Sequence, residues 1–121
     1  MKEGLSRPLT KTTLGLYWDL ESLYESILNE RSYGFYQEES GYSGVFNIAR
    51  SPLRSSLNVF CAGKDFSKKT PINDSERDAF FAECAKLFQC DTIVIKGRAG
   101  WKKRAESRGY REDSRVYVKE V

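Results

Sequence analysis

The chain has 121 residues, 20 Lys/Arg against 17 Asp/Glu for a net charge of +3, and no histidine. That length supports one hydrophobic core rather than two, and an apolar fraction of 40% argues against wholesale disorder. Lack of histidine excludes Ser-His and Cys-His nucleophile pairs, His-ligated zinc and an imidazole base near neutral pH.

No apolar run approaches the roughly 20 residues that a membrane-spanning helix needs. Met1-Lys2-Glu3-Gly4 leads into no signal-type apolar stretch. Cys61, Cys84 and Cys90 cannot all pair within the chain, and no two stand at close C-x-x-C spacing. Reduced thiols, no metal site, no membrane association and a cytoplasmic setting are therefore expected.

Residues 1–13 are polar around Pro8 and read as an extended arm ahead of a single domain over residues 14–121. Leu16, Leu20, Leu23, Tyr24, Ile27 and Leu28 recur at helical spacing and predict an amphipathic helix from Leu16 to Asn29. Asp19 offers an alternative, as the cap of a shorter helix that follows a brief strand. Tyr33 to Glu39 and Ser43 to Ala49 are aromatic and β-branched around a Ser40-Gly41 turn, which predicts a hairpin. A third strand follows over Ser55 to Gly63, where Leu57, Val59 and Cys61 alternate onto one face.

Lys64 to Asp74 is a polar loop containing Pro71. Ser75-Glu-Arg-Asp78 is a weak capping pattern that opens a helix running to Gln89, with Phe80, Phe81, Cys84, Leu87 and Phe88 at helical spacing. Asp91 to Lys96 is a short, nearly continuous apolar strand of the buried kind. A short basic helix from Ala99 to Arg108 ends on Gly109 in the left-handed conformation, and Ser114 to Val121 alternates as a terminal strand. Leu57 to Lys96 is a strand-helix-strand unit and demands a parallel, right-handed crossover. An α+β fold results: a mixed, mostly antiparallel sheet with helices on both faces.

The segment from Gly97 to Val121 resembles the end of GNAT (acyl-CoA N-acyltransferase) domains, in which a short helix closes on Gly-Tyr and a last strand completes the sheet. It is most similar to the small GNAT-like proteins of tailed bacteriophages, through its Gly97-Arg-Ala-Gly-Trp101 start, Gly109-Tyr110 and Val118-Lys-Glu120. The resemblance implies binding of acetyl-CoA and acyl transfer to an amine, and for the phage group a place in the virion or the host cytoplasm.

The residues that would carry this chemistry depart from the family pattern. No glycine lies between Lys64 and Asp74, where a glycine-rich loop would cradle the pyrophosphate. Lys64, Lys68 and Lys69 attract anions without forming a cradle, and Asp74, Glu76 and Asp78 oppose a phosphate at short range. The family tyrosine that protonates the leaving thiolate corresponds to Ala105, four residues before Gly109, and Tyr110 is displaced by most of a turn. A base would have to be a carboxylate such as Glu38 or Glu39 on the early strand.

A catalytically degenerate domain is therefore expected, with no catalytic residue, no cofactor and no metal. It would act by contact with other proteins of phage or host. An active N-acyltransferase using acetyl-CoA is the alternative. A further alternative is weak nucleic-acid binding by a basic surface of Arg98, Lys102, Lys103, Arg104 and Arg108, with Tyr110 and Tyr117 near for stacking. The cysteines read as small structural residues.

Overall fold

The structure is a computed structural model that describes residues 1–96, 102–113 and 116–121. Its first element corrects the sequence reading, because the expected extended arm is a helix, α1, over Lys2–Lys11. Gly4 and Pro8 look like breakers, yet they are buried there beside Leu5. Proline has no N–H to give the Gly4 carbonyl four residues earlier. That carbonyl instead rests on the third strand, so close to Gly63 that a Cβ there would meet it at 2.1 Å.

A 3-10 turn over Thr13–Leu16 leads to α2, Leu20–Leu28, shorter than the Leu16 to Asn29 span predicted. Asp19 caps it, taking the Ser22 N–H at 2.8 Å while the Ser22 hydroxyl takes the Asp19 N–H. The apolar face is narrower than the periodicity suggests, since Leu23 and Ile27 pack inward while Leu16 and Leu28 stay exposed.

Strands β1 (Tyr33–Gln37), β2 (Tyr42–Arg50) and β3 (Ser55–Lys64) form an antiparallel meander. Helix α3, Asp74–Leu87, then crosses to β4, Thr92–Ile95, which runs parallel to β3 with Leu57 opposite Ile93. Strand order is β1-β2-β3-β4. Leu5 of α1 and Leu23 of α2 bury against Val45 and Cys61 on one face, and Phe81 and Ala85 of α3 bury against Phe35, Phe46, Leu57 and Val59 on the other. The mixed sheet with helices on both faces is thus present.

Cys61 does not share a face with Leu57 and Val59. The β2–β3 register jumps, Val45 facing Cys61 and Phe46 facing Val59, so Phe60 is an extra residue on β3. Such a bulge turns the side chains beyond it to the opposite face, and Phe60 and Cys61 both join the α1/α2 side. Strand β4 is also less buried than its apolar run implies. Val94 is exposed, because β4 is an edge strand covered on one face among the described residues.

Helix α4 spans Lys102–Glu106, with residues 99–101 of the predicted helix outside the described set. Gly109 ends it at φ +90°, and the Tyr110 N–H returns to the Ala105 carbonyl. The predicted terminal strand is not formed over residues 116–121. Val116, Tyr117 and Val118 alternate, but none is buried, and alternation makes a strand only where a face has something to cover it. Among the described residues no helix is long and apolar enough to cross a membrane.

Candidate functional site

In an open sheet with parallel strands, ligands settle at the carboxyl ends of those strands. Here β3 and β4 pair only from Ser56–Thr92 to Val59–Ile95, and the bulge at Phe60 follows at once. Beyond it β3 parts from β4 and continues to Lys64 paired with β2. The same end of the molecule gathers the 65–73 connection, the start of α3 and, through ion pairs, α4.

The connection is tied down by its own polar groups. Lys64 Nζ donates to the Lys68 carbonyl at 2.6 Å and the Asp65 carbonyl at 3.3 Å, and Lys68 Nζ donates to the Glu38 carbonyl at 3.0 Å. Asp65 accepts from the Ser67 hydroxyl and N–H, which hold its carboxyl below the usual range. Gln37 takes the Asn73 N–H at 3.0 Å and donates to the Asn73 carbonyl at 3.2 Å. Asn73, rather than Ser75, caps α3 by accepting the Glu76 N–H. The N–H groups of Ser67, Lys68, Asn73 and Glu76 are therefore all committed within the chain.

The first turn of α3 carries the acidic residues foreseen, but their charge is answered. Arg104 Nη2 lies 2.8 Å and 3.0 Å from the two Asp74 oxygens. Arg108 grips Asp78 with Nε and Nη2, both at 2.9 Å, in a bidentate pair. Arg77, only 10% exposed, reaches Asp74 at 2.9 Å, off hydrogen-bonding angle. Partial desolvation would raise the Asp74 pKa, but the Arg104 hydrogen bond and the charges of Arg77, Arg104 and Arg108 outweigh it and lower it. Three guanidinium groups face Asp74 and Asp78, so much of the opposing negative field expected at this helix end is offset.

The same pairs set carboxylates beside part of the basic surface read from the sequence. Arg104 and Arg108 turn toward α3, while Lys102 lies 3.9 Å from Glu106 and 3.7 Å from Glu112. Lys103 is exposed, and Arg98 falls outside the described residues. Tyr117 is exposed on the terminal segment. Glu38 and Glu39 are exposed and lie in the β1–β2 turn rather than on a strand. Ala105 is on α4 as expected.

Two tyrosines converge on this cluster. Burial pushes the Tyr42 phenol up against the opposing pull of Arg77. Tyr110 is pushed up by burial and then by Asp78, so both stay protonated at neutral pH. Cys61 is pushed up to about 11 by burial, and Cys84 is raised by burial and by Glu83, so both favour the protonated thiol at neutral pH.

No family model and no curated protein matches the chain. Solved structures do. An acetyltransferase from Trypanosoma brucei superposes with a TM-score of 0.65 at 14% identity, covering 100% of this chain and 95% of that one. Glucosamine-6-phosphate N-acetyltransferase from Arabidopsis thaliana gives 0.64 at 14% identity over 83% of this chain and 75% of the other. A mutant of the BH1408 protein from Bacillus halodurans gives 0.65 at 14% identity over 87% and 75%. The fold is that of the GNAT acyltransferases. At such identities the likeness concerns architecture and carries no activity with it.

The arginine–aspartate contacts at the first turn of α3 are the feature that sequence reading missed. Asp74 and Asp78 stand four residues apart, as do Arg104 and Arg108. Each pair therefore projects from one side of a helical turn, a complementary spacing that was legible in advance.

Proposed function

We propose that this domain keeps the GNAT fold as a scaffold, transfers no acyl group, and works by surface contact with another protein. One observation carries the reading. The Asp74 and Asp78 carboxylates of the first turn of α3 are engaged by Arg104 of α4 and Arg108 just beyond it, above a glycine-free connection in which the N–H groups of Asp65, Ser67, Lys68 and Asn73 already have acceptors. A CoA pyrophosphate there would have to compete with these partly exposed ion pairs, each worth about 1 kcal/mol. The missing acid at Ala105 and the exposed position of Glu38 and Glu39 support the same conclusion. The engagement of Lys102, Arg104 and Arg108 with carboxylates supports a contact role over nucleic-acid binding. A phage origin, with work in the host cytoplasm or the virion, rests on the C-terminal sequence resemblance.

Calorimetric titration with acetyl-CoA tests this reading directly. No saturable heat is expected at submillimolar concentration, and no thiol release above background in the presence of mixed amine acceptors. A micromolar dissociation constant with turnover lost on Glu38→Gln or Glu39→Gln would replace it with a divergent acyltransferase.

A further inference from the structure

The outer edge of β1 is an unprotected strand edge. Among the described residues no strand pairs with it, and Tyr33-Gly-Phe-Tyr-Gln37 contains no charge, no proline and no bulge. Those are the devices by which exposed edges are ordinarily kept from pairing. Grooves flank it on both faces, and each is floored by Gly34, Phe35 and Tyr36. The larger, about 460 Å³, lies over Gly34 between Met1, Ile27, Tyr24 and Leu28, and is almost wholly apolar. The smaller, about 290 Å³, lies beneath Phe80 and the Glu76–Arg77 turn of α3.

We infer that a second copy of this chain pairs antiparallel along the β1 edge, two-fold about Phe35, with each Tyr36 seated in its partner's groove over Gly34. The register follows from side-chain parity. Gly34 and Tyr36 point to the α2 face, and pairing about Phe35 sets each Gly34 directly opposite the other copy's Tyr36. Directly opposed residues lie on the same face, so each ring lies along the apolar groove beside Met1 and Ile27, whose side chains already close over Gly34 at 2.6 Å and 3.1 Å from where a Cβ would stand. A two-fold contact of this kind is self-complementary and closes as a dimer, joining the two sheets into one of eight strands.

The area is of the right order. Tyr24, Leu28, Tyr36 and Phe80 are 36%, 82%, 45% and 41% exposed. At about 200 Å² for a residue of this size they hold on the order of 400 Å². That is roughly half of the 800 Å² per partner of a standard interface, and the strand edge with Met1 and Ile27 supplies more.

Sedimentation equilibrium of the full chain from about 1 μM to about 200 μM reads the association directly. The unsubstituted chain is expected to pass from monomer to dimer across that range. Tyr36→Lys and Leu28→Lys are both surface changes, and each should weaken association about tenfold or more. Leu53→Lys, at a residue 94% exposed in the β2–β3 turn, should leave it unchanged. Circular dichroism checks that each variant stays folded. A chain that remains monomeric throughout overturns the inference. So does a dimer that tolerates both lysines, or one that Leu53→Lys disrupts.

Discussion

The two faces of the sheet are built on different principles. On the α1 side, backbone lies against backbone. A Cβ at Gly4 would stand 2.7 Å from the Gly63 carbonyl oxygen and 2.8 Å from the Ser43 hydroxyl, and one at Gly63 would stand 2.1 Å from the Gly4 oxygen. On the α3 side, aromatic rings hold helix and sheet apart. Phe35 meets Phe81 edge-on at 5.2 Å between centroids, Tyr33 meets Phe88 at 4.7 Å, and Phe46 lies within 6.5 Å of both Phe35 and Phe88. One face is set by what cannot fit and the other by what must be filled. Paired guanidinium and carboxylate groups gather at the α3 N-terminal end of the second face.

Removing filler should cost most. Phe81→Ala empties the centre of the α3 face, where Phe81 is 2% exposed, and should lower unfolding free energy by roughly 3–5 kcal/mol in denaturant titration. A change near zero would mean that the aromatic layer does not hold α3 down. Adding a methyl on the opposite face should cost less. Gly63→Ala collides with backbone that has no rotamer to change, and overpacking of this kind costs roughly 1–3 kcal/mol. Limited proteolysis should then cut first within residues 2–11, as α1 lifts from β3. A fully stable Gly63→Ala variant would show that the close approach is dispensable.

The ionic end should respond more weakly. Arg108→Ala removes a bidentate pair, and with Asp78 one-third exposed the loss should be about 1 kcal/mol. Its pH dependence has a definite sign. The Asp74 carboxyl lies below its ordinary 3.8 in the folded chain, so its contribution is complete above that value and fades as pH falls through the lower folded value. The difference in thermal midpoint between the parent and Asp74→Asn should be constant from about pH 5 to 7 and close below pH 3.8. A difference that grew on acidification would contradict the pairing.

The smallest effect concerns the thiols. Cys61, buried and pushed up to about 11, should resist alkylation at neutral pH in the folded chain and react only on unfolding. Labelling of Cys61 under native conditions would show that the α1 face opens readily.

Local pattern was enough for the meander, the crossover and the left-handed Gly109, because each rests on a short-range rule: two-residue alternation, helical spacing, or a backbone angle that glycine adopts without strain. The departures at Lys64–Asp74 and Ala105 were equally legible, being absences of residues that a chemistry requires. Tertiary contact decided the rest. Helix α1 exists because Gly4 and Pro8, breakers in isolation, allow the closest approach to Gly63. Cys61 changes face because one extra residue at Phe60 reverses the parity of β3, and alternation read along a single strand contains no sign of its partner's register. Arg104 and Arg108 read as a basic surface while their neighbours in sequence were the only company known. Folding sets Asp74 and Asp78 beside them, thirty residues earlier in the chain, and turns the surface into a contact between α3 and α4.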